Sequence, residues 1–285
     1  MKLGISSYSL WQAVERGELD YVGVVGKVAE LGGEHVEIVP LGVDLTADSA
    51  LVEAIRAKAA EVGIAISNYA IGANFAGLDD EAFEREIARV KREVDVAAAL
   101  GVKLMRHDVA NSEDRSIRQF MKDFPKLVEA CRRIADYAAQ YGITTSIENH
   151  GYYVQASDRV QAIVNEVARD NFRTTLDIGN FVCVDENPLV GVRNNAKLAS
   201  IVHVKDFYIR PATAAPGDGW FRSANGAYLR GAIAGHGDLD TREALRIVKE
   251  SGFDGYLSIE FEGMEPCVQA TKIALDNARR IWNEI

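Results

Sequence analysis

The feature that most constrains the fold of this chain is a regular alternation of short apolar segments with longer amphipathic ones, sustained along 285 residues. In the clearest amphipathic segment, Phe83, Ile87, Val90 and Val94 recur at three- and four-residue steps, which is typical of a helix with one buried face. Strands that alternate with helices in this way indicate a parallel sheet joined by right-handed crossovers. The regularity predicts a single α/β domain over residues 1–285, a (β/α)8 barrel.

Apolar runs, ended by glycines or polar residues, give the expected strand positions. No GxGxxG segment follows the first strand, which disfavours a dinucleotide-binding open sheet. Pro125 predicts a break in a long helix, and Ser157 is the expected cap of the next one. Residues 207–239 lack periodicity and contain many glycines and prolines, so a long loop is expected there. The predicted strands are 2–7, 35–39, 64–69, 102–106, 143–149, 172–177, 201–206 and 256–260.

Composition excludes several classes of protein. A net charge of -10 disfavours a nucleic-acid partner, because such binding depends largely on basic side chains. The N-terminal segment lacks the apolar core of a signal peptide, and no uninterrupted apolar run is long enough to span a membrane. The three cysteines have no CxxC spacing, which is typical of free thiols in a reducing compartment. We therefore expect a cytoplasmic protein with no membrane partner.

Four successive strands carry an acidic or imidazole side chain at or near their C-terminal ends: Glu148, Asp177, His203 and Glu260. Such residues are poor strand formers and are costly to bury without partners. In a barrel the C-terminal ends of neighbouring strands meet at the face that carries the active site. The four side chains are therefore expected to converge, and a divalent metal ion is the simplest partner that would hold them together.

The chemistry of these side chains limits the metal. Carboxylate and imidazole ligands suit manganese, cobalt, zinc or magnesium, and they disfavour a copper or thiolate site. We expect one divalent ion, with manganese favoured. Three anionic ligands would leave the site negative overall, which is compatible with a neutral sugar or polyol whose oxygens complete the coordination.

Further polar residues are candidates for contacts with substrate at the same face. Side chains two residues apart on a strand point to the same side, so Lys205 is expected to face the site with His203, and His150 with Glu148. His236 lies between glycines in the predicted loop, which could act as a lid. His35 is expected to be structural, and Glu262 is a weaker candidate for the site. Trp11, Trp220 and Phe221 are candidates for an apolar wall. The candidate substrate contacts are His107, His150, Asn180, Lys205, His236 and Glu37.

The segments SIENHG, TLDIGN, IVHVKD, GHGDLD and GFDGYLSIE together resemble the sugar phosphate isomerase/epimerase superfamily, the xylose-isomerase-like TIM barrels that also include endonuclease IV. The resemblance extends over nearly the whole chain. Members related to ketose 3-epimerases bind one divalent metal through a Glu, Asp, His, Glu set, and the resemblance assigns that set to Glu148, Asp177, His203 and Glu260. It also implies that Glu148 and Glu260 form the acid/base pair.

The resemblance implies a metal-dependent isomerase or epimerase of a sugar or keto-polyol. In that chemistry a proton is removed next to a metal-bound carbonyl, and an enediolate forms. A lyase on the same scaffold, a dehydratase of inosose or dehydroshikimate type or an enzyme that cleaves a keto-glycoside, begins with the same step and stays open. A non-catalytic binding module is a third class. Superfamily members are often dimers or tetramers, so a homo-oligomer is compatible with the sequence.

The chain departs from endonuclease IV at two places. Its third strand ends in Asn68 and Tyr69, and Asn180 stands where a further histidine ligand would be expected. The zinc cluster of that nuclease is therefore incomplete here. Together with the acidic charge, this disfavours a DNA-repair nuclease.

Overall fold

The computed structural model describes residues 1–285 and contains a closed barrel of parallel strands. In chain order the strands are β1 (Lys2–Ser6), β2 (His35–Ile38), β3 (Ala65–Ile71), β4 (Leu104–His107), β5 (Thr144–Glu148), β6 (Phe172–Asp177), β7 (Ala199–Val204), β8 (Asp206–Arg210), β9 (Phe221–Arg222), β10 (Tyr228–Ala232) and β11 (Tyr256–Ile259). Around the barrel the order is β1-β11-β7-β6-β5-β4-β3-β2. The prediction of a single (β/α)8 barrel is confirmed.

Helices cover the outside of the barrel, and most of them connect one barrel strand to the next. The buried side of each helix packs on the outer faces of the strands. In the helix Asp80–Leu100 this side includes Phe83, Ile87, Val90 and Val94. No helix is long and apolar enough to cross a membrane. The helices are α1 (Trp11–Glu15), α2 (Tyr21–Glu30), α3 (Ser49–Val62), α4 (Asp80–Leu100), α5 (Ile117–Ala138), α6 (Ser157–Val167), α7 (Pro188–Asn195), α8 (Thr241–Glu250) and α9 (Cys267–Glu284).

Two local predictions about helices are wrong. Pro125 does not break α5, which runs through it. Pro125 is exposed, so the carbonyl that loses its backbone donor there can be hydrated. Ser157 does not cap α6; it is the first helical residue, and its backbone N–H and its hydroxyl donate to the carboxylate of Glu186 at 2.8 and 2.5 Å. An acidic side chain from the start of the next βα unit therefore supplies the negative charge that a helix N-terminus favours.

The predicted long loop after β7 is instead a small antiparallel sheet in the order β8-β10-β9. The GHGDLD segment that follows is fixed by Asp206, whose carboxylate accepts from the backbone N–H groups of Gly235 and Gly237 at 2.9 and 3.0 Å. A Cβ at Gly237 would lie 2.1 Å from Asp206 Oδ1, so this approach requires glycine. The GHGDLD segment therefore anchors the small sheet to the end of β7. The three cysteines are free and buried, as expected.

Candidate metal and active site

The four predicted strand-end residues lie on four neighbouring strands, because β11, β7, β6 and β5 are consecutive in the barrel. One ligand atom from each of Glu148, Asp177, His203 and Glu260 lies within 4.8 Å of the others, and all four side chains are buried. Ligands on opposite sides of a divalent ion lie roughly 4.4 Å apart, given bonds of about 2.2 Å. The cluster therefore has the size and the ligand types of a single metal site.

Two atoms of the cluster are buried without an aligned hydrogen-bond partner: Asp177 Oδ2 and His203 Nδ1. In each side chain the other polar atom makes hydrogen bonds elsewhere. Asp177 Oδ1 accepts from the backbone N–H groups of Gly179 and Asn180 at 2.7 and 2.8 Å. Buried polar atoms are nearly always satisfied. Asp177 Oδ2 has only the longer contact with Lys205 Nζ at 3.4 Å, and His203 Nδ1 has only those with Glu148 and Glu260 at 3.5 Å, so a metal ion would complete the contacts of both atoms.

Glu37 fixes the other nitrogen of His203. The ring Nε2 donates to Glu37, with its two oxygens at 2.9 and 3.1 Å, and Asn68 donates to the same carboxylate at 3.1 Å. This carboxylate–histidine pair directs Nδ1 to the cluster, as partners of metal-binding histidines commonly do. Glu37 is fully buried and does not line the cavity. Its position is that of a group that orients His203, and it lies outside the cavity in which the sequence analysis expected it to contact substrate.

Replacing Glu37 by glutamine is expected to weaken metal binding by about 10- to 100-fold, because the hydrogen bond to His203 remains while its charge is lost. The dissociation constant for Mn²⁺ measures this directly. Glu34→Gln is the matched control, since Glu34 accepts from the backbone of Leu3 outside the site, and its metal affinity should equal that of the wild type. Equal affinity in Glu37→Gln would exclude the orienting role.

Lys205 lies at the centre of the carboxylates, as strand alternation predicted. Its Nζ is 2.6 Å from Glu260 Oε2 and 3.4 Å from both Asp177 Oδ2 and Glu262 Oε2. Asn180 contacts the same group, because Lys205 Nζ donates to its Oδ1 at 3.3 Å while Asn180 Nδ2 donates to Glu148 at 3.1 Å. A Cβ at Gly179 would lie 2.9 Å from the Lys205 carbonyl, so glycine is needed for the β6 turn to approach β7 this closely.

The charges in the cluster shift the pKa values of its members in opposite directions. Burial disfavours the ionised forms of Glu148 and Glu260, but Arg106 and His203 hold the pKa of Glu148 below its usual value, and Lys205 with His203 holds that of Glu260 well below. Burial raises the pKa of Asp177 to about 6. Burial opposes the charge on His203, but Glu37, Glu260 and Glu148 outweigh it and raise the pKa of His203 well above its usual value. The cluster thus attracts positive charge.

Asp108 and Tyr8 line the cavity and were missed by the sequence analysis, and Arg106 at the end of β4 lies beside them. Arg106 bridges Asp108 and Glu148, with 2.8 Å to a carboxylate oxygen of each. His150, a predicted contact, lines the cavity with its Nδ1 3.0 Å from Asp108. Tyr8 also lines the cavity and makes no hydrogen bond through its hydroxyl. Burial, with the nearby Glu262, raises the pKa of Tyr8 to about 12, so its hydroxyl stays protonated.

Besides Glu37 and Asn180, neither of which lines the cavity, two further predicted contacts lie outside it. His107 points away from it: its ring is fully buried, its Nδ1 donates to the carbonyl of Asp108 at 2.8 Å, and it packs against Phe75. His236 is exposed and does not line the cavity. The residues of the predicted aromatic wall, Trp11, Trp220 and Phe221, are half-buried and do not line the cavity either. Phe221 packs on Phe207 within the small sheet instead. His35 is structural, as expected, because its Nε2 donates to Leu257 at 3.0 Å.

A buried, neutral His107 predicts a pH dependence of stability. Burial lowers its pKa to about 4, whereas a histidine in the unfolded chain titrates near 6.5. Between these values the unfolded chain binds the extra proton, so the free energy of unfolding falls by about 1.4 kcal/mol per pH unit as the pH decreases. In His107→Gln the contribution of His107 to the pH dependence of the free energy of unfolding should disappear. A change in the stability of this variant at neutral pH is a separate effect.

Urea unfolding of the metal-free protein at several values from about pH 4 to 7.5 measures this slope for the wild type and the variant. His35→Gln is the matched control, since burial lowers the pKa of His35 to about 4 as well; it should lose a similar part of the slope. An unchanged slope in His107→Gln would mean that the ring is not buried in its neutral form.

Comparisons with known proteins agree with this fold. Residues 25–282 match the family model of xylose isomerase-like TIM barrels, so the chain belongs to this family, whose members include epimerases, isomerases and dehydratases. Inosose dehydratase from Lacticaseibacillus casei is 25% identical over 193 residues. That alignment covers 63% of this chain, and the chain spans 63% of the length of the curated relatives that it matches.

Solved structures show the same fold at lower sequence identity. D-psicose 3-epimerase from Clostridium cellulolyticum H10, solved with D-tagatose, has a TM-score of 0.75 and 17% identity, with 99% of each chain covered. A xylose isomerase-like TIM barrel protein from Mycobacterium smegmatis, solved in complex with magnesium, has a TM-score of 0.67 and 20% identity. It covers 92% of this chain and 89% of its own.

Proposed function

We propose that this protein is a divalent-metal-dependent isomerase or epimerase of a keto sugar or keto-polyol, with manganese as the favoured ion and zinc, cobalt or magnesium as alternatives. One observation supports the proposal above all others. Oxygens of Glu148 and Glu260 each lie 3.5 Å from His203 Nδ1, at the floor of a cavity of about 670 Å³. Two carboxylates that flank one ligand position have the arrangement needed to handle a proton on either face of a substrate carbon.

A bound ion would act as a Lewis acid that polarises a keto group and so acidifies the neighbouring C–H bond. The chain supplies the proton transfers. Both oxygens of Glu148 are engaged, one by Arg106 and one by Asn180, whereas only Oε2 of Glu260 is held, by Lys205. Glu260 is ionised and has an oxygen without a partner, so we assign it the first proton removal. Glu148 is ionised as well, so it takes up a proton from solvent in the cavity before it returns one to the substrate, and Glu260 releases its proton to solvent at the end of the cycle.

The position at which the proton returns determines the product. If Glu148 delivers it to the same carbon from the opposite face, the sugar is epimerised. If the proton goes to the neighbouring carbon, the keto group moves and the sugar is isomerised. Lys205 and Arg106 remain beside the two carboxylates and stabilise the negative charge that develops between them.

A lyase is the second candidate, and one contact favours it. The Nδ1 of His150 is directed at Asp108, and this hydrogen bond raises the pKa of His150 against the opposing effect of burial. A protonated imidazole in the cavity could donate to a departing hydroxyl group, so that a C–O bond breaks and water leaves. The curated relatives named inosose dehydratase carry out chemistry of this class.

The first experiment is elemental analysis of the untagged protein beside the Glu148→Gln/Asp177→Asn double variant. We expect about one Mn, Co, Zn or Mg ion per chain, absent from the variant. Ketoses and keto-inositols are then tested for exchange of the α-proton in deuterated water. An epimer or isomer as product supports the first candidate, and a dehydrated product the second. A protein without metal even after reconstitution, and without exchange, contradicts both.

A further inference from the structure

The cavity extends well beyond the metal cluster. Glu148, His203 and Glu260 line only its floor, and from there it runs along the loop between β2 and α3. A volume of about 670 Å³ lies in the range of roughly 300–1,000 Å³ typical of sites for drug-sized ligands. A free ketose reacting at the floor would leave much of this space to water. The shape therefore suits a larger molecule whose reacting part is a sugar.

The β2–α3 loop gives this outer part of the cavity an apolar wall. Val43 is 37% exposed and is one of the few large apolar side chains of the chain left open to solvent. The loop is held in place from beneath: the Tyr21 hydroxyl lies 2.6 and 3.0 Å from the carbonyl oxygens of Val39 and Leu41 and shares its single proton between them. A fixed apolar wall can bind an apolar group without the cost of ordering a loop. The apolar residues are Val39, Pro40, Leu41, Val43 and Leu45.

The outer part of the cavity adjoins a second space on the outside of the barrel. A second groove, of about 760 Å³, lies between α3 and α4 and shares Leu45, Thr46 and Arg92 with the cavity. Its floor includes the apolar Val52 and Val96. The two spaces adjoin at these shared residues, which places the groove beside the outer part of the cavity.

Arg92 is the one charged group at this junction that lacks a partner. It makes no hydrogen bond or ion pair with the protein, whereas Arg89 is paired with Glu86 and Glu93. Asp44 is near enough to attract Arg92 electrostatically, but the two form no ion pair, and Asp44 Oδ1 accepts from the backbone and hydroxyl of Thr46 at 2.9 and 2.6 Å. The guanidinium is therefore free to donate to an oxygen of a ligand that lies along the wall.

We propose that Pro40, Leu41, Val43, Leu45, Thr46 and Arg92 form an outer subsite for an apolar substituent on the sugar, and that Arg92 donates to an oxygen of that substituent. The substrate class is then a keto-glycoside with an apolar, oxygen-bearing aglycone. This inference rests on the proposed function of the metal cluster, which acts on the sugar unit. The aglycone takes no part in the reaction and contributes only to binding.

The test uses the metal-loaded enzyme with 3-keto-β-D-glucosides that carry a methyl, phenyl or 4-nitrophenyl aglycone, and with D-fructose. The kcat/KM of α-proton exchange should be at least about tenfold higher for the aryl glycosides than for the methyl glycoside, a difference of about 1.4 kcal/mol. The unoxidised methyl and 4-nitrophenyl β-D-glucosides, which lack the keto group, report binding by calorimetry without turnover. The aryl compound should again bind more tightly.

Val43→Trp fills the subsite from its exposed side, so the ratio of kcat/KM for aryl over methyl glycosides should fall to about one. Val190→Trp is the matched control, because Val190 is 51% exposed on α7 and does not line the cavity. Arg92→Ala should remove the preference for nitrophenyl over phenyl. Equal kcat/KM and equal affinity for the aryl and methyl compounds would overturn the subsite while leaving the proposed function intact. No exchange with any of the ketones would overturn both.

Discussion

Replacing Glu260 by glutamine is expected to reduce turnover by about 10²- to 10⁴-fold, the usual contribution of a positioned acid or base. Glutamine keeps the shape of the side chain but accepts no proton at neutral pH. The fold should survive, because Glu260 lies at the cavity floor and Lys205 keeps Asp177 and Glu262 as partners. The rate of α-proton exchange and the midpoint of thermal unfolding, measured together, separate loss of chemistry from loss of structure.

Glu262→Gln is the matched control for this prediction. Glu262 is also near Lys205 and lines the same cavity, but it does not belong to the four-residue cluster. This variant should retain its metal and most of its activity. If Glu260→Gln stays within a fewfold of the wild type, or if the two variants lose activity equally, Glu260 is not the base.

The His203→Ala variant is expected to lose its metal during purification, because it lacks the only nitrogen ligand of the cluster. Its loss of affinity should exceed that of Glu37→Gln, in which the ligand itself remains. The change also leaves the Glu37 carboxylate buried without its cationic partner, and breaking a buried pair in this way costs about 3–5 kcal/mol. Metal content by elemental analysis and the free energy of unfolding in the presence of a chelator measure the two effects.

Two further variants separate metal binding from stability. Adding Glu37→Gln to His203→Ala removes the unpaired charge, so the double variant should recover part of the stability and none of the metal. His150→Ala should retain about one ion per chain, since its partner is Asp108 and not the cluster. Normal metal content in His203→Ala would remove His203 from the ligand set.

Much of the barrel could be predicted because its signals are local. Apolar runs and helical periodicity depend on residues close together in sequence, and β6 was predicted at its observed bounds. The segment after β7 could not be read in this way. Its strands β8 and β10 form an antiparallel pair although they are separated in the sequence. A segment without hydrophobic periodicity gives no indication of that pairing. The continuity of α5 through Pro125 depended on which side of the helix faces solvent.

The site also has some features that are fixed by local sequence and others that depend on tertiary contacts. The sequence by itself determined which four residues form the cluster and on which side Lys205 lies, because polar residues at strand ends of a barrel face its C-terminal opening and alternation fixes their side. Only the tertiary structure decided that Arg106, and not its neighbour His107, faces the cavity. A one-residue change of register exchanges the two faces of a strand, and nothing local fixes the register of β4.

Tertiary structure also decided the role of Glu37. A shift in the pairing of β2 with β3 occurs between Val36 and Glu37, and the side chain meets His203 from across the barrel, although 166 residues separate them. Composition and spacing reveal which residues are costly to bury. Which partner offsets the cost of burying a charged side chain depends on distances that exist only after the barrel has closed. For this reason the residues of the cluster could be predicted from the sequence, and the groups that orient them could not.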